Sequence, residues 1–372
     1  MSHDFTRRDF LSRTGQGVLA AGVGATLLST AAHAQSAPAK KVGYALVGIG
    51  RLTIGQLLPA FKECKLSAPT ALVSGDIEKA KKFADQYGIK HTYTYENYDQ
   101  LKKNPDVDVI YIVLPNGMHA EYTIRGAKAG KHILCEKPMA NSVAECQQMI
   151  DASSAAKRKL MIAYRLRYEP INNAAIQMVR DKVMGPPRYI HADVGFGING
   201  KGNPWRLNKK LAGGGALMDI GIYALNASRY LTGEEPTEVN ATSYTPPNDD
   251  RFKEVEDMVA WQLKFPSGIV ANSSTSYAYG ANRYRVVGPD GYIESEPFLS
   301  YGGLALRKVV KGKGEQLDIP QVNHFAAELD HMSECVLNDK QPLTPGEEGL
   351  KDLKVIEAIY NAVETKGTVK IT

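Results

Sequence analysis

Several protein classes are excluded by what this 372-residue chain has little of. Tryptophan occurs twice and cysteine four times. Cys64, Cys135, Cys146 and Cys335 form no CxxC or Cys/His spacing, which argues against a disulfide scaffold or a zinc module and leaves the thiols unpaired. The eight histidines form no metal-ligand cluster. No apolar run reaches the roughly 20 residues needed to span hydrocarbon. The net charge of +5 comes from 45 Lys and Arg against 40 Asp and Glu, without a basic block, so nucleic acid is not an expected partner. What is present suits two domains with real cores: 43% hydrophobic residues, 34 Gly and 19 Tyr, as in a small-molecule enzyme with many tight strand–helix turns.

The N-terminus reads as an address. Thr6-Arg7-Arg8-Asp9-Phe10-Leu11 precedes an apolar Gly/Ala-rich stretch over 15–32, and Ala32-His33-Ala34 supplies a small-x-small cleavage signal. This pattern resembles a twin-arginine export signal over 1–34, cleaved after Ala34, and it implies the export machinery as partner, a periplasmic location and no stable membrane association after cleavage. The competing reading, a membrane anchor, needs a longer run. Residues 35–41 form a polar linker.

From residue 42 onward, apolar runs of strand length at 42–47, 70–74, 107–114, 132–135 and 160–163 alternate with helix-period segments at 55–64, 78–87, 119–129 and 143–156. Such alternation predicts βαβ units on a parallel sheet across 42–164. Beyond Tyr164 an amphipathic segment at 171–182 leads to longer strand-like runs at 188–196, 238–244, 258–265, 269–277 and 284–287, and helices return at 325–337 and 350–363. Residues 165–372 are therefore expected to form an α+β domain with a large, mainly antiparallel sheet.

Gly48-Ile49-Gly50-Arg51-Leu52-Thr53 follows the first buried strand directly, where a Gly-x-Gly turn and the next helix N-terminus can hold a pyrophosphate. Thr53 replaces the third glycine of that pattern. The second strand ends in Ser74-Gly75-Asp76 without a carboxylate at its tip. An acid there would bind a ribose diol and repel a 2′-phosphate, whereas Ser74, Lys79 and Arg51 would welcome one, so NADP is expected over NAD. Asp76 opposes that choice if it reaches the ribose.

Cys135-Glu136-Lys137-Pro138 ends another predicted core strand, so Lys137 should project from the ligand-binding edge; a solvated lysine is the plainer reading. Gly213-Gly214-Gly215 precedes Asp219 and Tyr223, which at i and i+4 share a helix face. That pair alone could equally be a structural hydrogen bond.

Together, Gly48-Ile49-Gly50, Glu136-Lys137-Pro138 and Gly-Gly-Gly-x-x-x-Asp219-x-Gly-x-Tyr223 resemble the glucose–fructose oxidoreductase, inositol dehydrogenase and MocA family, nearest to its periplasmic glucose–fructose and aldose–aldose oxidoreductases. Leu114-Pro115-Asn116, Ala163-Tyr164-Arg165, Trp205-Arg206-Leu207, Val255-Glu256-Asp257 and Pro345-Gly346-Glu347-Glu348-Gly349 extend the likeness over nearly the whole chain after the signal. The resemblance implies a Rossmann NADP-binding domain and an α+β domain whose open sheet forms subunit contacts, hence a homodimer or homotetramer. By the same resemblance Gly48, Gly50, Arg51, Leu52, Thr53, Ser74, Lys79, Tyr95, Leu114, Asn116, Glu136, Lys137, Arg165, Trp205, Arg206 and Tyr301 match cofactor contacts. His119 matches such a position in some relatives only. Lys137, Asp219 and Tyr223 match the catalytic group.

Oxidising an aldose at C1 requires a base for the hydroxyl proton while hydride leaves for nicotinamide. Tyr223 is the candidate base, with Lys137 favouring phenolate and Asp219 orienting the sugar or sharing in proton transfer. An exported enzyme meets little free cofactor, so the expected scheme keeps NADP(H) tightly bound and alternates two sugars, giving an aldonolactone and a polyol. The alternatives are an aldose dehydrogenase with exchangeable cofactor, an exported nicotinamide-dependent glycosidase and a non-catalytic sugar sensor.

Overall fold

A computed structural model describes residues 40–198 and 204–372. The export-signal reading and most of the linker lie outside the described residues.

Six strands form the first sheet: β1 (Val42–Val47), β2 (Ser67–Val73), β3 (His91–Tyr93), β4 (Val109–Ile112), β5 (His132–Glu136) and β6 (Leu160–Ala163). Their order is β3-β2-β1-β4-β5-β6, and every pairing is parallel. A parallel sheet is covered on both faces, so its strands can be apolar without alternation. Each residue of β1, β4 and β6 is accordingly buried. The strand expected at 107–114 shortens at both ends to β4, because Val107 and Asp108 still belong to the turn before it and Val113 and Leu114 to the turn beyond it. The helix expected at 55–64 is instead a π-helical turn, Thr53–Leu57, running into a short α-helical turn, Leu58–Ala60.

The second sheet has nine strands: β7 (Tyr189–Gly195), β8 (Glu238–Tyr244), β9 (Met258–Lys264), β10 (Val270–Ser276), β11 (Ala281–Gly288), β12 (Gly291–Ser295), β13 (Leu306–Val310), β14 (Lys313–Leu317) and β15 (Val369–Lys370). They run in the order β14-β13-β12-β11-β7-β10-β9-β8-β15. Only β7 and β10 pair in parallel; the remaining neighbours are antiparallel. This is the expected fold class, a parallel Rossmann sheet followed by a mainly antiparallel α/β domain.

Two helices tie the sheets together. Helix His324–Leu337 returns from the end of the second sheet to pack on β1 and β2, and the Tyr44 hydroxyl donates to its Leu329 carbonyl at 2.8 Å. Helix Gly346–Thr365 lies between β8 and helix Val143–Ala155. Its Asp352 is wholly buried and accepts from Arg229, Asn226 and Tyr164. Helix Ile222–Thr232, which carries Arg229, is thereby fixed at its far end. Removing one partner of such a buried pair costs about 3–5 kcal/mol.

Candidate functional site

The chain crosses the carboxyl edge of the first sheet six times, once after each of β1 to β6, and each crossing brings predicted site residues, Tyr95 among them after β3. The order of strands reverses between β1 and β4, the switch point at which open parallel sheets bind their ligands. At the β1 turn Gly48 has φ +100°, and a Cβ there would stand 2.3 Å from the Val113 carbonyl oxygen, so only glycine fits. A Cβ on Gly50 would meet nothing within 4 Å. Arg51 is exposed and Leu52 half-buried beside it. Thr53 is wholly buried, and its hydroxyl donates to the Gly48 carbonyl at 2.6 Å. The side chain in the third-glycine position thus braces the turn that glycine would otherwise only permit.

After β2, the buried Ser74 hydroxyl accepts the Asp76 N–H at 3.1 Å, and the Asp76 carboxylate accepts the Lys79 N–H at 3.0 Å as N-cap of helix Ile77–Tyr87. The acid that weighed against NADP is engaged in capping. Tyr95 stands over the same turn, its ring 3.2 Å from a Cβ placed on Gly75.

After β4, Leu114 is buried against Gly48, and the Asn116 amide donates to the Ala212 carbonyl at 2.8 Å, joining the two domains. His119 is wholly buried, with ring nitrogens 2.9 and 2.8 Å from the Pro138 and Leu114 carbonyl oxygens. Burial lowers its pKa against those two acceptors. It supports the loops and has no surface to offer a ligand.

The chemical end of the site forms around Lys137. Its ammonium donates to the Asp219 main-chain oxygen at 2.6 Å, lies 3.9 Å from Asp219 Oδ1 and sits 4.7 Å from the centre of the Tyr223 ring. Asp219 belongs to a π-helical turn, Leu217–Gly221, that runs directly into helix Ile222–Thr232. π-Turns of this kind are frequent at functional sites. Asp219 Oδ2 accepts from Arg206 Nε at 2.6 Å and from the Tyr277 hydroxyl at 2.9 Å. Burial opposes ionisation of Asp219, but Arg206 and then Lys137 overcome it and hold the carboxyl below the usual aspartate range.

Arg165 stacks near Tyr223, Tyr301 and Phe325, at 5.2, 4.9 and 5.6 Å from the ring centres. It also lies 3.3 Å from His324 Nε2 and donates to the Leu299 carbonyl. Burial, reinforced by Arg165, pushes His324 down to about 3, leaving the imidazole neutral. Tyr301 is 57% exposed on the rim. Trp205 carries the Arg206 guanidinium 4.6 Å above its ring. Glu136 accepts from the Tyr111 hydroxyl at 2.6 Å, and burial raises its pKa despite that bond.

Tyr277 was not singled out by sequence reasoning. It is wholly buried at the end of β10 and has no motif around it. Its partnership with Asp219 arises only because the second sheet brings residues 58 positions apart together. The triple glycine has a simple cause. A Cβ on Gly214 would lie 2.0 Å from the Tyr360 hydroxyl, and one on Gly215 would lie 1.9 Å from the Glu256 carbonyl oxygen.

A parallel sheet with an open glycine turn at its switch point, and a Lys–Asp–Tyr cluster along the same edge, defines a dinucleotide-dependent oxidoreductase. The chain matches "Oxidoreductase family, NAD-binding Rossmann fold" over residues 42–164 and "Oxidoreductase family, C-terminal alpha/beta domain" over 176–371. It belongs to the GFO/IDH/MocA oxidoreductase family. D-xylose 1-dehydrogenase [NADP(+)] of Haloarcula marismortui is 33% identical over 344 residues, covering 91% of this chain and 95% of that protein. The crystal structure of aldose-aldose oxidoreductase from Caulobacter crescentus, complexed with glycerol, superposes with a TM-score of 0.86 at 51% identity, covering 89% of this chain and 99% of that one. KijD10, a 3-ketoreductase from Actinomadura kijaniata, shares the fold with a TM-score of 0.79 at 23% identity.

The residues present fit a dinucleotide. Gly50 leaves space where a Cβ would intrude, and Arg51, Ser74 and Lys79 place donors at the ends of β1 and β2. Among the described residues no group of three or more His, Cys, Asp or Glu is placed to hold a metal ion, and the four cysteines are free and buried.

Proposed function

We propose that this protein is an exported sugar oxidoreductase that retains NADP(H), oxidises an aldose at C1 to an aldonolactone and reduces a second sugar to a polyol. The observation that carries this reading is the convergence of Lys137 on both Asp219 and Tyr223 at the edge of β5. The Caulobacter and Haloarcula relatives, named for aldose and xylose oxidoreduction, support the substrate class. Engagement of Asp76 as a helix cap, with Ser74 and Lys79 beside it, supports NADP over NAD. The Arg7-Arg8 pattern and Ala32-His33-Ala34 support periplasmic export, and a homodimer or homotetramer remains the expected assembly.

When bound, the nicotinamide supplies the two-electron acceptor and donor. The protein then has to manage one proton and one developing negative charge. Tyr223 takes the C1 hydroxyl proton and later returns it to the acceptor carbonyl. The Lys137 ammonium stabilises charge on the reacting oxygen. Asp219, ionised and held by Arg206 and Tyr277, orients Lys137; its engagement by these donors favours this role over proton transfer.

An absorbance and fluorescence scan of the purified mature protein, before and after glucose and without added cofactor, tests the scheme. A reduced-nicotinamide band that disappears on adding a ketose or second aldose is expected. A band that forms only with added NADP overturns cofactor retention in favour of an exchangeable dehydrogenase, the reading that likeness to D-xylose 1-dehydrogenase favours. Tyr223→Phe is expected to slow sugar oxidation by about 10²–10⁴-fold without lowering the melting temperature. Unchanged turnover in that variant rejects Tyr223 as the base.

A further inference from the structure

We propose that Glu256 is a positioning residue for the hydride-transfer centre, its carboxylate clamping the glycine turn that sets where Asp219 and Tyr223 stand. This rests on the function proposed above. Glu256 lies just before β9. Its Oε2 accepts the Gly215 N–H at 2.8 Å, and its Oε1 accepts the Leu217 N–H at 3.1 Å and the Tyr360 hydroxyl at 3.0 Å. Three donors face the two oxygens, an arrangement suited to a carboxylate, which only accepts. Burial holds the carboxyl above the ordinary glutamate range, and the Gly215 amide, its own backbone, the Leu217 amide and Tyr360 offset only part of that rise.

The placement of this clamp matters more than its strength. Leu217 is the first residue of the π-turn that carries Asp219, so Glu256 grips the backbone two residues before Asp219 and one helical element before Tyr223. Lys137 reaches Asp219 through the main-chain oxygen, closer than through the carboxylate. A shift of the backbone at Leu217 therefore moves the Lys137 contact together with both side chains. The close approach of Glu256 and Tyr360 to Gly215 and Gly214 leaves the turn little room to settle elsewhere. Tyr360 comes from helix Gly346–Thr365, which also holds the far end of helix Ile222–Thr232 through Asp352. One helix thus fixes the segment bearing Asp219 and Tyr223 at both ends.

Glu256→Gln retains size but turns one acceptor into an NH₂ that faces an N–H or the Tyr360 hydroxyl. Glu256→Asp is one methylene too short to span both amides. Tyr360→Phe removes one donor and spares both amide bonds. The test uses the mature, NADP-loaded protein and measures amide hydrogen exchange across 213–217 alongside sugar turnover. In Glu256→Gln, exchange at Gly215 and Leu217 is expected to accelerate at least about tenfold. The kcat is expected to fall about 10–100-fold with KM little changed. Glu256→Asp should not restore it, and Tyr360→Phe should lose less. Unchanged exchange shows that the clamp does not hold the turn. Faster exchange with unchanged kcat shows a structural role only; either result overturns the proposal. Tyr223→Phe is the reference: if it lowers turnover and Glu256→Gln does not, the clamp alone fails, whereas full turnover in Tyr223→Phe rejects the underlying functional reading.

Discussion

Two glycine turns lead into π-helical segments in this molecule, and they use glycine for opposite ends. At the first, a Cβ on Gly50 would project into open space, and the turn is braced from beneath by Thr53. At the second, the room that Gly214 and Gly215 leave is filled by protein, with Tyr360 and Glu256 pressed against the backbone. The first turn is shaped around something that must come and fit. The second is shaped around the protein itself, and its rigidity is delivered to Asp219 and Tyr223 a few residues later.

The largest effect should come from Gly215→Ala. Its Cβ would overlap the Glu256 carbonyl at 1.9 Å, a backbone contact that cannot rotate away, so a loss of several kcal/mol or failure to fold is expected in denaturant melts. A variant as stable as the parent would mean that the second turn is as roomy as the first.

Asp219→Asn is next. It leaves the half-buried Arg206 without its carboxylate partner and should cost about 3 kcal/mol, together with most sugar turnover. The pH dependence has a definite sign. Because the carboxyl is held below its ordinary value, the stability it contributes is present above the unfolded aspartate pKa of about 3.9 and is lost as pH falls through the lower folded value. Acid melts should accordingly be shallower for Asp219→Asn than for the parent below about pH 4. Parallel acid profiles would show that Asp219 is not held ionised by its partners.

Gly50→Ala separates the two turns from the other side. With no atom within 4 Å to strike, it should melt within about 0.5 kcal/mol of the parent yet, once both are stripped of cofactor, bind NADP at least about tenfold more weakly by titration calorimetry, since the added methyl occupies ligand space. Unimpaired binding would remove the phosphate from this turn. The smallest change is Asp76→Ala, expected to cost about 1 kcal/mol as a lost N-cap while leaving the preference for NADP over NAD in place. A reversal or strengthening of that preference would mean that Asp76 faces the ribose instead of the Lys79 amide.

Legibility in the sequence followed burial. Strands β1, β4 and β6 are uninterrupted apolar runs because both faces are covered, and they stand out from the chain without alignment. Strands β13 and β14 do not: Lys313–Leu317 is the exposed edge strand of the second sheet, and Leu306–Val310 beside it is half-buried and sets Arg307 and Lys308 between Leu306 and two valines, so neither carries an apolar period. The three-residue β3 is too short to carry a pattern. Within the site, Lys137, Asp219 and Tyr223 were readable because each lies in a local motif. Tyr277 and the clamp function of Glu256 were not, since their contacts cross 58 and 39 to 41 positions of sequence and exist only once the second sheet has formed. The π-turn at Leu217–Gly221 is likewise invisible to a 3.6-residue period, although i and i+4 still brought Asp219 within it and Tyr223 in the helix beyond it to one lysine.

Helix His324–Leu337 packs on β1 and β2 although almost three hundred residues of sequence separate them. During synthesis, β1 and β2 leave the ribosome early and the segment 57–61 and helix Ile77–Tyr87 soon cover part of their face, yet the remainder waits for the penultimate helix with Phe325, Leu329 and Met332. The nucleotide-binding half is therefore made first and finished nearly last, and a chain arrested before residue 324 would present an apolar strip beside Tyr44 that the complete protein never shows.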